Sequence, residues 1–126
     1  MTSKKNKKLQ LELEAWLRTL DYIQQENVFL KNRLADIVKS NISTKMLEQA
    51  EYFQNLLINK DTAIAFLRYE IGRQNKGTES ETEQSDNLHK RLKKQDDLRT
   101  DMKKIEKEIS RVNTLFNDYI AEALTN

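Results

Sequence analysis

Histidine and cysteine, the side chains that most often bind metals or act as nucleophiles, are scarce: the chain has one histidine, His89, and no cysteine. The spacing Asp86-x-x-His89 faintly resembles one quarter of the carboxylate-bridged di-iron sites found in helical bundles. Such a site needs a Glu-x-x-His pair from each of two helices, so a second histidine would be required. The single histidine also excludes two-histidine zinc sites, and no Ser-His-Asp triad can be assembled convincingly. We therefore expect His89 to lie on the surface, and we expect neither a cofactor nor enzymatic activity.

Gly72 and Gly77 are the two glycines of the chain. Neither belongs to a phosphate-binding loop, because both lack the required spacing and the preceding strand. We expect no small-molecule substrate.

Four lysines lie together near the beginning of the sequence: Lys4, Lys5, Lys7 and Lys8. Such a cluster can bind the phosphates of a nucleic acid by releasing counterions. It contains no arginine and no interleaved aromatic residue, and the formal net charge of the chain is +2. We favour a frayed, solvated N-terminus, with weak contact to nucleic acid as the alternative.

A second basic run, Lys90 to Lys94, lies in a segment where acidic residues soon follow at helical spacing. Opposite charges three or four residues apart pair along a helix surface. We expect this run to be part of a solvated helix face.

Apolar residues recur at alternating steps of four and three, which is the heptad rhythm of packed helices. Proline is absent and 33% of the residues are charged, so long helices with narrow apolar faces are expected. The first stripe predicts a helix over about residues 5–39, the second over about 44–74 and the third over about 86–123. The stripes are Leu9, Leu13, Trp16, Leu20, Ile23, Asn27, Leu30, Leu34 and Ile37; Met46, Ala50, Phe53, Leu57, Lys60, Ile64, Leu67 and Ile71; and Leu98, Met102, Ile105, Ile109, Val112, Phe116, Tyr119 and Ala123.

The segment from about 76 to 86 is polar, acidic and without periodicity, and it predicts a mobile loop. Three helices joined by one tight turn and this loop predict an all-α, up-down-up antiparallel three-helix bundle, with residues 1–126 as one domain. Long helical hairpins and spectrin-like bundles share this patterning, which is a likeness of architecture that implies no function.

Counting outward from the turns predicts which residues share a layer of the bundle. Trp16, Phe66 and Leu98 are expected near one end, and Leu34, Leu47 and Phe116 near the other. Leu30, Phe53 and Ile109 are expected between these two layers.

Two polar residues, Asn27 and Lys60, interrupt the apolar stripes. The interpretation we favour places both at the boundary of the bundle, with the ammonium group of Lys60 reaching water. The alternative is that Asn27 fixes the register of a multimer by pairing with its symmetry mate.

Helix 1 carries more apolar surface than one neighbour needs, notably Tyr22, Val28 and Phe29. We favour an arrangement in which helix 1 lies between the other two helices and buries both flanks. The alternative is that Tyr22 and Phe29, with Val28 beside them, stay exposed as a surface that binds another protein.

These features predict a non-enzymatic interaction or structural module that acts by self-association or by docking an apolar helical face on a protein partner. No window reaches the roughly 18 apolar residues of a membrane span, and we expect no membrane partner and a cytoplasmic location. Nucleic-acid association through the N-terminal lysines is the second functional hypothesis.

Overall fold

The computed structural model describes residues 4–40, 43–79 and 85–125. All of these except Ser43 are helical, in α1 (Lys4–Ser40), α2 (Thr44–Glu79) and α3 (Ser85–Thr125). Helix α2 packs against both α1 and α3, whereas α1 and α3 contact each other least. The fold is an all-α three-helix bundle, which confirms the predicted class.

Contacts between the helices establish the up-down-up order. Arg68 of α2 bonds to Asp21 of α1, and farther along the same two helices Asp61 bonds to Lys31, so α1 and α2 run antiparallel. Lys45, near the beginning of α2, pairs with Glu122, near the end of α3. Helices α2 and α3 are therefore also antiparallel.

The turn between α1 and α2 is closed by Ser43. The hydroxyl oxygen of Ser43 accepts a hydrogen bond from the backbone N–H of Met46 at 3.5 Å, which is the usual role of a serine at a helix N-cap. The Ser43 carbonyl accepts a further bond from the N–H of Leu47 at 3.0 Å. These bonds satisfy amide groups that the first turn of α2 would otherwise leave without partners.

Helix α2 is longer than predicted, because it continues past Gln74 to Glu79. The prediction that residues 76–79 belong to a loop was wrong. Arg91 of α3 donates from Nη1 to the carbonyl of Gly77 at 2.9 Å, so a tertiary contact supports a turn that its glycine disfavours. At the other end of the predicted loop, residues 85 and 86 belong to α3, and the segment 80–84 lies outside the described residues.

Every residue of the three predicted stripes is buried or half-buried. The buried apolar side chains other than Leu9 form two separate clusters. The turn cluster, beside the α1–α2 turn, consists of Leu34, Met46, Ala50, Phe53, Leu57, Val112, Phe116 and Tyr119. The far cluster consists of Leu13, Leu20, Ile23, Ile64, Leu67, Ile71, Leu98, Met102 and Ile105.

The predicted layers are correct in part. Trp16 packs against the far cluster that contains Leu98, and Leu34 lies with Phe116 in the turn cluster. Two of the predicted layer residues, Phe66 and Leu47, are exposed instead. Each is adjacent in sequence to a buried residue, and consecutive helical residues project about 100° apart, so both point away from the core.

Substitution of an aromatic side chain in the turn cluster tests the arrangement of this core. Phe116 is fully buried, and its ring meets that of Phe53 edge to face at a centroid distance of 5.2 Å. The substitution Phe116→Ala should lower the free energy of unfolding by about 3–5 kcal/mol, because it removes apolar burial and leaves a cavity. Urea denaturation measures this change.

The matched control is Phe66→Ala, because Phe66 is 56% exposed. This variant should change the free energy of unfolding by roughly 0.5 kcal/mol or less. Equal destabilisation by the two substitutions would contradict the arrangement of the core.

Candidate protein interface

A polar layer separates the two apolar clusters, and Asn27 is its first member. The side chain of Asn27 is 4% exposed and lies between α1 and α2. Its Nδ2 donates to the carbonyl of Leu57 at 2.9 Å and to Oδ1 of Asp61 at 2.7 Å. Lys31 bonds to the other oxygen of Asp61. Both Asn27 donor hydrogens thus have acceptors within one chain.

Lys60 is the second interruption of the stripes, and it also belongs to this layer. Its side chain is 6% exposed, and Nζ lies 2.9 Å from Oε2 of Glu108 in α3. The hydrogen bond from Lys60 lowers the pKa of Glu108, burial raises that pKa by less, and the positive charges of Lys60 and Arg111 lower it further. The layer therefore links all three helices.

The boundary placement predicted for these two residues was wrong. Asn27 is inside the bundle, and the ammonium group of Lys60 meets a carboxylate at the rim. The physical reason is that each buried polar group finds a partner on a neighbouring helix, which removes most of the cost of burying it.

A second polar network lies at the end of the far cluster. Gln95 of α3 is buried and donates to the carbonyl of Leu9 at 3.2 Å and to Glu12 at 2.9 Å. Gln74 of α2 donates to Oε1 of Gln95 at 2.9 Å, and Arg99 forms a two-point contact with Glu12 at 2.6 and 2.9 Å. The heptad pattern of the sequence does not predict these partners. The available signal was that Gln74 continues the α2 stripe seven residues after Leu67.

An open groove runs between α1 and α2 on the side away from α3. On α1, Glu12 and Glu26 occupy the same heptad position, and both bond to α3. Gln24 and Lys31 occupy a different heptad position, and both bond to α2. The part of the groove beside the turn encloses about 680 Å³ and is lined by Leu34, Val38, Ala50, Leu47 and Ile58, among others. A smaller part of about 350 Å³ continues past Lys31 to Arg68. The first part is the larger apolar concavity, and it forms the candidate interface.

The predicted interaction residues lie on two different faces. Tyr22 is 63% exposed and Phe29 is 61% exposed, so the favoured arrangement in which helix 1 buries both flanks was wrong. The reason is that α2, not α1, packs against both other helices. Val28 is exposed as well and lines the smaller part of the groove. Phe29 projects about 100° away from Val28, so these side chains do not form one continuous surface.

The lysines predicted as an anion contact lie on the first turns of α1. Lys4, Lys7 and Lys8 are exposed and surround the side chain of Leu11. The side chain of Lys5 lies outside the described part of the structure. His89 is exposed near the beginning of α3.

Within residues 4–40, 43–79 and 85–125, no group of three or more His, Asp or Glu side chains is placed to hold a metal ion. Across the same residues, no helix has a stretch long and apolar enough to cross a membrane. Comparison of the chain with protein-family models, curated proteins and solved structures finds no significant match.

Three carboxylates in these networks predict how stability depends on pH. Burial raises the pKa of Asp61, but hydrogen bonds from Lys31 and Asn27 and the charge of Lys31 outweigh it, so the net pKa is lowered. Burial also raises the pKa of Glu12, but hydrogen bonds from Arg99 and Gln95 outweigh this effect, so the pKa of Glu12 is lowered as well. The pKa of Glu108 is lowered as described above.

A pKa that is lower in the folded state than in the unfolded chain, where it is about 4, stabilises the fold above that value. The stabilisation is lost as pH falls through the folded pKa. We expect the free energy of unfolding, measured in urea, to fall between about pH 5 and pH 2. The control Asp61→Asn should show a shallower fall, and an unchanged profile would contradict the role of Asp61.

Proposed function

We propose that this protein is a non-enzymatic interaction module that self-associates through the groove between α1 and α2. The observation that supports this most is the exposure of apolar side chains along an open groove, where α3 covers only the opposite side. Val38, Leu47 and Ile58 are exposed there above the buried residues Leu34 and Ala50. Burial of such side chains contributes roughly 1.5–3 kcal/mol each when it is complete.

A groove between two helices is the kind of surface on which another helix packs. Side chains of the incoming helix lie between the ridges of the two helices that form the groove. An amphipathic helix supplies the apolar stripe that this geometry needs. In a second copy of this chain, α1 and α2 are such helices, and their exposed faces can pack into the groove of the first copy.

The distribution of charge and side-chain size favours a second copy in antiparallel orientation. Glu51 and Arg68 lie on the groove side of α2, about 25 Å apart along the helix, and Ile58 lies between them. A two-fold axis near Ile58 brings Glu51 of one copy opposite Arg68 of the other. It also places Leu47 opposite Gly72, a position with open space around it. The opposite charges of Glu51 and Arg68 favour this pairing. The large side chain of Leu47 beside the small Gly72 favours it as well.

The same proposal accounts for the mixed polarity of the groove. Its apolar part lies beside the turn, and the Lys31–Asp61 pair lies farther along. Charged rims determine orientation more than affinity. The absence of cysteine suits a reducing compartment, and we place this activity in the cytoplasm.

Light scattering after size exclusion tests self-association over a range of protein concentrations. We expect the mass to rise toward that of a dimer, and the variant Ile58→Lys to hold the protein as a monomer, because it places a charge at the centre of the apolar contact. Ile58 is 48% exposed, so this substitution should leave the fold intact. Circular dichroism checks that it does.

The matched control is Phe29→Lys, at an exposed apolar position on another face of the bundle. This variant should associate as the unchanged protein does. A monomeric mass at every concentration would refute self-association, and loss of the dimer in Phe29→Lys alone would assign the interface to the Tyr22 and Phe29 face.

The chain contains no cysteine, so single cysteines can be introduced as reporters of proximity. Ile58→Cys should form a disulfide-linked dimer under mild oxidation if the two-fold axis passes near this residue. Phe29→Cys should form much less disulfide-linked dimer under the same conditions. Equal yields would contradict the proposed orientation.

A further inference from the structure

The bundle brings two basic segments that are far apart in sequence to the same end. Arg91 of α3 donates from Nη2 to Oδ1 of Asn6 at 3.3 Å, within the lysine-rich first turns of α1. The bond from Gln95 to the carbonyl of Leu9 holds the same two segments together one turn farther in. Helix α3 therefore supplies a second basic segment beside the N-terminal lysines.

Six exposed lysines lie at this end of the bundle, and we call them the basic end. They are Lys4, Lys7, Lys8, Lys76, Lys90 and Lys93. None of them forms an ion pair within the part of the chain that the structure describes. Two carboxylates farther from this end along α1 and α2, Glu12 and Glu70, are paired with Arg99 and Lys94.

Lys31 and Lys45, elsewhere on the bundle, pair with carboxylates on neighbouring helices, whereas the six lysines of the basic end form no such pair within the described residues. Clustered, unpaired cations are the electrostatic footprint of a site for a polyanion.

We propose that the basic end binds double-stranded nucleic acid through its phosphates, without reading the base sequence. Three helix ends contribute lysines to this end of the bundle, so the charges are not confined to one segment of the chain. A duplex presents one charge for about every 1.7 Å of its axis, so a surface of this kind contacts several phosphates together. This binding does not depend on self-association through the groove.

An anionic membrane offers phosphates too, but this end lacks the apolar face that membrane binding needs. Leu11 is the exposed leucine among Lys4, Lys7 and Lys8. A helix that lies in a bilayer interface buries a broad apolar face, and a single leucine among lysines supplies little of one. The observations therefore favour nucleic acid.

Fluorescence anisotropy with a labelled 20-base-pair DNA duplex tests the proposal, in salt from about 50 to 200 mM. We expect binding at the low end of this range and a linear fall of log K with log salt. The variant in which Lys4, Lys7 and Lys8 become Ala should bind about tenfold more weakly or worse at low salt. Its salt slope should fall by roughly 0.9 for each phosphate contact that is lost.

A second variant tests the contribution of α3, which is the part that the fold alone reveals. Lys90→Ala with Lys93→Ala should also weaken binding and reduce the salt slope. The matched control changes three other exposed lysines of α3, Lys103, Lys104 and Lys107, to Ala. They lie at least two turns farther along the helix and form no ion pair with the described residues, so this control should bind as the unchanged protein does.

Three results would overturn the proposal. The first is no binding of the duplex at 50 mM salt. The second is that the control variant loses as much affinity for the duplex as the basic-end variants do, or that the α3 variant loses no affinity. The third is capture by phosphatidylserine vesicles without binding of the duplex, which would assign the basic end to a membrane surface. Circular dichroism of each variant confirms that the helices are intact.

Discussion

The alignment of the three helices depends on the polar layer that Asn27, Lys60, Asp61 and Glu108 form between two apolar clusters. Leucine and isoleucine recur every seven residues, so apolar packing alone would tolerate a shift of one helix by a heptad, about 10 Å. Such a shift would move the Asn27 amide and the Lys60 ammonium group away from their partners. A buried amide without acceptors costs roughly 1–3 kcal/mol, and an unpaired buried charge costs more. The layer therefore selects one register among several that the apolar side chains permit.

This register has consequences at both ends of the molecule. It brings the aromatic rings of Phe53, Phe116 and Tyr119 into contact beside the α1–α2 turn. At the opposite end it places Gln95 beside Leu9 and Arg91 beside Asn6. The far end is thus held by polar side chains that bridge helices, where the apolar stripe of α3 is thin. The same alignment brings the lysine-rich beginnings of α1 and α3 to one end of the bundle.

The uneven packing of the helices explains why one side of the bundle stays open. Three helices form three pairwise contacts, but α1 and α3 meet least, and α2 is the element that both share. Helix α3 covers one side of the α1–α2 pair with the Glu12 and Glu26 contacts, so the opposite side keeps its apolar residues in solvent. The exposed apolar residues along the groove and the exposed lysines at one end are two separate surfaces with different chemistry.

The sequence by itself determined the class of the fold, the three helices and their stripes, because a heptad pattern without proline leaves few other ways to bury apolar side chains. It also identified Asn27, Lys60 and the exposed candidates on α1 as residues that need explanation. Tertiary structure decided the rest, since the partners involved are distant in sequence. Contact with Arg91 supports the last turns of α2, Glu108 pairs with buried Lys60, and the central position of α2 leaves Tyr22 and Phe29 exposed. The heptad pattern specifies which face of each helix is buried, but the neighbour on each flank is chosen only when the helices pack.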